Sequence, residues 1–232
     1  MSLKLSISWK KIVKWGIIVV VSVLIFAFFI RVLTWEDAYY KEKEGSERDV
    51  VAEQQAREDE REELDETVPT EEEITEYVVA PDRPRYLTIN KLNVARARIL
   101  PMGVKSTGEL ATPNNIFDVG WYESSSKPGE GGTMVIDGHN GGPHVYGVFK
   151  YLPDLAEGDI ITVERGDGQM FDYKVVENTE ISLDSADDYM AVAMRSPEYG
   201  KESITLISCS GEWSWDRYTY LSRQFVRAVL ES

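Results

Sequence analysis

One cysteine, Cys209, and two histidines, His139 and His144, are the chain's whole stock of thiol and imidazole. A free thiol near its reference pKa is mostly protonated at neutral pH. An imidazole beside it can take the proton or, when charged, stabilise the thiolate. Such a pair is the smallest machine for acyl transfer, and the oxyanion that this reaction generates needs a cation or amide donors. An arginine suits that task because it keeps its charge beside a thiolate. Arg223, in the final strand region, is the candidate.

The neighbours of these residues say where they sit. Cys209 follows the apolar stretch Ile204-Thr205-Leu206-Ile207-Ser208 and precedes Ser210-Gly211, which reads as a strand end. His139 follows Thr133-Met134-Val135-Ile136 and opens the loop His139-Asn140-Gly141-Gly142. Taken singly, Cys209 reads equally well as a small buried hydrophobe, and His139 as a satisfied surface histidine. Two strand ends that each present a reactive side chain favour chemistry. His144, within Gly142-Pro143-His144-Val145, reads as a loop residue near the site without a proton-transfer role. Asp137 either orients the imidazole or caps a turn.

The elements that must hold these groups are strands. Arg85 to Ile89, Ala97 to Leu100, Thr133 to Ile136, Asp159 to Val163, Met170 to Val176, Ser203 to Ile207 and Gln224 to Leu230 are short and rich in β-branched and aromatic residues. Asp167-Gly168 between two of them is a hairpin signal. Helix-compatible stretches occur near Tyr146 to Leu152 and Ala186 to Met194. Close-spaced short strands with few helical turns point to a mostly β sandwich or barrel. With one cysteine and two histidines a zinc site is not expected, and with no glycine-rich phosphate loop no cofactor is expected.

Composition divides the chain. The formal net charge is -15, and residues 36–80 alone hold 18 acidic and 5 basic side chains. That stretch reads as a disordered or partly helical acidic spacer. Residues 81–232 hold 22 acidic and 15 basic side chains and carry no basic patch, so no nucleic-acid partner is expected. Trp15 to Ile30 is uncharged and apolar, flanked by Lys14 and Arg31, so 12–35 reads as one transmembrane helix. Lys4, Lys10, Lys11 and Lys14 before it place residues 1–11 in the cytoplasm by the positive-inside rule, and the rest outside the cell.

These residues resemble the sortase family, of the class D, E or F kind. The resemblance is carried by Val135-Ile136-Asp137-Gly138-His139, Leu206-Ile207-Ser208-Cys209 and Tyr220-Leu221-Ser222-Arg223, and extends over about Pro84 to Leu230. Ser208 stands where the family most often has Thr, and keeps the hydroxyl.

The resemblance implies a closed β-barrel of about eight strands over 81–232, with a few short helices, and a cysteine transpeptidase. In that reading Cys209 attacks an LPxTG-like C-terminal sorting signal of a secreted protein. His139 moves protons, and Arg223 holds the substrate or the oxyanion. The acceptor is an amine of a cell-wall precursor or a pilin. Arg217 and Arg227 are rivals to Arg223, and Ser208, Asp137, Trp213 and Arg217 are supporting or substrate-side candidates. Trp213, Trp215, Tyr218 and Tyr220 either line a peptide groove or pack their loop down. Leu183 to Tyr199 resembles the family's substrate-recognising loop. Two alternatives stay open: a secreted cysteine protease, and a non-catalytic tethered β-domain that binds a surface partner.

Overall fold

The computed structural model describes Arg31 and residues 64–105 and 108–231. The chain divides into two units, Met1–Gln55 and Ala56–Ser232. All the strands belong to the second: β1 (Pro84–Ile89), β2 (Val94–Met102), β3 (Val119–Tyr122), β4 (Thr133–Gly138), β5 (Ile160–Arg165), β6 (Met170–Ser182), β7 (Ser203–Ser214) and β8 (Thr219–Leu230), with helices α1 (Glu71–Glu76) and α2 (Leu183–Ala193). The strands close into a barrel in the order β1-β2-β3-β4-β7-β8-β6-β5. The β2–β3 and β4–β7 pairs are parallel, and the remaining pairs are antiparallel.

Side chains alternate across each strand, so one parity fills the barrel and the other faces out. Met134, Ile136, Ile204, Leu206, Val226 and Ala228 point inward and join Leu87, Ile89, Val163 and Tyr173 in one core. Each fully buried aliphatic side chain there contributes about 1.5–3 kcal/mol. The opposite parity, Val135, Ile207 and Phe225, builds a second cluster outside the barrel, covered by Ala193, Tyr189 and Met190 of α2. Asp137, Cys209 and Arg223 share this outer parity, and Ser208 has the inner one.

Four expectations need correction. Among the described residues no helix is long and apolar enough to cross a membrane. At 1.5 Å per residue α1 and α2 reach about 9 and 16 Å, against a hydrocarbon core of about 30 Å. Apart from Arg31, the expected span 12–35 lies outside the described residues. The transmembrane helix is withdrawn, and with it the membrane contact and the single-pass topology. Tyr146 to Leu152 forms turns that lead into a 3-10 turn at Leu152–Asp154, where Pro153 fits the first turn, and no α-helix. Val119–Tyr122, a strand between two paired neighbours, is too short to announce itself. Finally, β7 does not end at Cys209 but runs to Ser214, with an irregularity between Ser210 and Trp213.

Of the stretch read as spacer, residues 64–80 are described, and they lie against the barrel. α1 opens with a reciprocal cap in which the Glu73 N–H donates to Thr70 Oγ1 (3.2 Å) and the Thr70 N–H to Glu73 Oε2 (2.7 Å). Beyond it, the Tyr77 hydroxyl donates to the Ile99 carbonyl (2.5 Å), and Arg85 Nε donates to the Tyr77 carbonyl (2.8 Å).

The outer helix is fastened through its C-terminus. Arg227 Nη2 donates to the Arg195 (2.9 Å) and Val192 (3.3 Å) carbonyls, and Thr205 Oγ1 donates to the Ala193 carbonyl (2.8 Å). These bonds satisfy carbonyls that a helix end leaves open, and the cation suits the negative end of the dipole. Arg227 also pairs with Glu177 at 2.5 Å, with its own side chain 7% exposed. Replacing Arg227 with Met should cost about 3 kcal/mol, near the lower end for breaking a buried pair, because Glu177 can rehydrate. Urea unfolding of the full-length chain measures it, and a loss below about 1 kcal/mol would contradict this account.

Candidate functional site

Strand register brings the three principal candidates side by side. The parallel ladder of β4 and β7 ends with Asp137 opposite Ile207. Two side-chain bonds continue it: Ser208 Oγ donates to the Gly138 carbonyl (2.9 Å), and Asn140 Nδ2 donates to the Cys209 carbonyl (2.8 Å). His139, between Gly138 and Asn140, therefore lies abreast of Cys209. Across the next pairing, Cys209 is directly opposite Arg223 on β8, with the two Cα atoms about 5 Å apart. The order His139, Cys209, Arg223 runs from the residue that follows β4 across β7 and β8.

The imidazole is held from the far side. Its Nε2 lies 2.8 Å from the Pro113 carbonyl oxygen. A carbonyl can only accept, so Nε2 carries a proton and the second ring nitrogen, Nδ1, is the basic one in the neutral ring. One residue earlier, Thr112 Oγ1 donates to Asp137 Oδ2 (2.8 Å). The extended piece 112–113 thus contacts both outward side chains at the end of β4. Glycines make these approaches possible. A Cβ at Gly120 would lie 2.6 Å from Asp137 Oδ1, and one at Gly138 would lie 2.6 Å from the Phe149 ring. One at Gly147 would run into the His139 backbone.

Asp137 is tucked beneath Gly120 and Thr112, and burial pushes its carboxyl up to about 7. The Thr112 hydroxyl, the residue's own backbone amide and the charge of Lys105 oppose that shift. Loss of water around the carboxylate outweighs them.

The three arginines after Cys209 go to different places. Arg223 Nη1 donates to the Tyr220 (3.0 Å) and Ser222 (2.9 Å) carbonyls and Nη2 to Thr219 Oγ1 (3.3 Å), which holds the guanidinium along β8. Arg217, at the tip of the β7–β8 hairpin, reaches Asp184 in the first turn of α2 (2.6 Å). Arg227 fastens the far end of that helix. Trp213 meets Tyr220 edge-on at 5.3 Å, with Trp215 and Tyr218 at 6.1 and 6.5 Å, so these rings pack the hairpin tip. Trp215 nevertheless remains 74% exposed. The His144 ring, apart from Cys209, meets Glu66 (2.9 Å).

Sequence reasoning missed Asn140, Thr112 and Pro113. Asn140 had a signal, since it directly follows His139. The other two reach the site from 25 and 26 residues away through contacts that only folding creates.

Strand order and register thus gather a thiol, an imidazole and a guanidinium on the outer face of a closed eight-stranded barrel. The family model for the sortase domain matches residues 87–231, and the chain belongs to the sortase family. The match is to the domain as a whole and leaves the narrower class open.

Solved structures similar to it include sortase C of Streptococcus pneumoniae, 20% identical over 72% of this chain and 75% of that one, TM-score 0.48. The SrtA sortase of Actinomyces oris is 21% identical over 66% and 82%, TM-score 0.47. The sortase D5 transpeptidase of Clostridium perfringens is 22% identical over 71% and 90%, TM-score 0.46. No curated protein matches the chain.

The position of Asp137 generates a pH prediction. Its carboxyl loses its proton near 3.8 in the unfolded chain and near 7 in the folded one. Between these values only the folded chain keeps the proton, so this group's contribution to stability is complete below the lower value and falls as pH rises through the upper. Asp137→Asn keeps an acceptor for Thr112 and cannot ionise. Urea titrations at pH 4 and pH 8 should find the variant gaining on wild type at pH 8, whereas an equal difference at both pH values would refute the shift.

Proposed function

We propose that this sortase cleaves an LPxTG-like C-terminal sorting signal of a secreted protein and joins the acyl product to an amine of a cell-wall precursor or a pilin. The observation that carries the reading is the cross-strand pairing of Cys209 with Arg223, with His139 abreast on the parallel neighbour. Cys209 Sγ attacks the carbonyl of the scissile bond. The oxyanion that forms is stabilised by Arg223, whose guanidinium is already ordered by the backbone of β8. His139 protonates the departing amine, which leaves a thioacyl enzyme, and then takes the proton from the incoming amine.

Asp137 and Ser208 support this arrangement from opposite faces of the sheet. Ser208 fixes the β4–β7 register at Gly138, and Asp137 braces the 112–113 piece that meets the imidazole. On the substrate side, the hairpin tip with Trp213 and Arg217 forms one wall, and α2, reached through Asp184, forms the other.

Mass spectrometry of the full-length chain with an LPxTG-type peptide and triglycine tests the proposal. Wild type should give ligated peptide, Cys209→Ala none, and Arg223→Lys about a hundredfold less per unit time. Arg217→Ala should retain most of the rate. Hydrolysis that ignores added amine would make the enzyme a protease, and absence of any thioacyl adduct across a panel of sorting peptides would leave a binding domain.

A further inference from the structure

We propose that Glu66 is a positioning residue for His139, clasping from outside the barrel the loop that follows the imidazole. The proposal rests on the reading of His139 as the acid/base group. Asp65 and Glu66 are adjacent in sequence, yet they grip different pieces of the barrel. The Asp65 N–H donates to the Asn114 carbonyl (3.0 Å), its carbonyl accepts from the Ile116 N–H (3.0 Å), and its carboxylate accepts from Asn115 Nδ2 (3.0 Å). This is the strip whose neighbouring Pro113 carbonyl takes His139 Nε2.

Glu66 turns to the loop 139–147. Its Oε1 accepts from the backbone N–H groups of His144 (2.8 Å) and Val145 (3.2 Å), and its Oε2 faces His144 Nδ1 (2.9 Å). The loop is tied at its base, where the Gly147 N–H donates to the Asn140 carbonyl (2.8 Å) and the Phe149 N–H to the His139 carbonyl (3.0 Å). A shift of the loop tip is therefore passed to the His139 backbone.

The slot for Glu66 is built into the loop. A Cβ on Gly142 would lie against the Glu66 carboxylate, so a side chain there would displace it from its present place. The carboxylate itself is held below its ordinary range, first by the His144 backbone N–H, while burial pulls the other way. Two consecutive acidic residues thus fix both surfaces that define where the ring can sit: the acceptor strip and the loop.

The test uses the full-length chain and combines kinetics with imidazole nitrogen NMR. Only two histidines contribute to that spectrum, and His144→Ala assigns them. Glu66→Ala should move the His139 ring resonances and lower kcat about 10- to 100-fold with little change in KM, the scale expected of a misplaced catalytic group.

Glu66→Gln keeps an acceptor for both backbone N–H groups and should restore most of the rate. Gly142→Ala, which evicts Glu66 without altering it, should reproduce the loss and serves if Glu66→Ala does not fold. Unmoved ring resonances overturn the clasp, and so do moved resonances with an unchanged kcat. Wild-type protein that ligates no sorting peptide, but whose ring resonances move in Glu66→Ala, would retire the transpeptidase reading and leave the clasp standing.

Discussion

The parallel pairing of β4 with β7 is the constraint on which the site depends. Parallel neighbours keep equivalent positions abreast, so Asp137 opposite Ile207 commits the next residues to run level. Ser208 and Asn140 then lock that continuation with hydrogen bonds to the Gly138 and Cys209 carbonyls. A slip of one residue would turn Cys209 into the barrel, because side-chain period in a strand is two. The buried alternation of Ile204 and Leu206 opposite Met134 and Ile136 resists such a slip, since it would turn Ile204 and Leu206 out of the core.

The β7–β8 hairpin adds the guanidinium by the same logic. Its antiparallel ladder is continuous from Ser203 with Val229 to Ser210 with Ser222, so outward parity carries Cys209, Arg223, Phe225 and Arg227 together. Phe225 and Arg227 hold α2 on that face, and the site occupies what the helix leaves uncovered. Fold and site are therefore two ends of one surface. Apolar residues and a buried ion pair dominate near the middle of β8, and reactive groups toward the hairpin.

The irregular piece 110–118 does for the imidazole what strand register does for the thiol. It is not a strand, yet Thr112 bonds to Asp137, Pro113 to His139, and Asn114, Asn115 and Ile116 all to Asp65. At its end, Asp118 takes a bidentate bond from Arg98 of β2 at 2.7 and 2.8 Å, with Asp118 itself buried. Such planar pairing is directional as well as strong, and it fixes where the piece enters β3.

Local patterns sufficed for the strands around Cys209 and His139, since β-branched runs bounded by Gly need no distant partner to be read. The hairpin at Asp167-Gly168 was legible for the same reason, as β5 and β6 pair across it. The chemistry of Cys209, His139 and Arg223 could be framed from residue type and order. The sequence pattern misjudged the end of β7, because Gly211 reads as a terminator, whereas in the barrel it sits at positive φ in an irregularity that lets the hairpin continue. Residue order favoured Arg223 among the three arginines, which follow Cys209 by 8, 14 and 18 residues, but it could not say what each one touches. Register, a property of paired strands, sent Arg223 to the thiol, Arg217 to α2 and Arg227 beneath it. The sequence by itself determined which side chains could react and which strands carry them. Only the tertiary structure decided that they stand abreast, because contacts such as Pro113 with His139 and Glu66 with His144 join segments dozens of residues apart and leave no local trace.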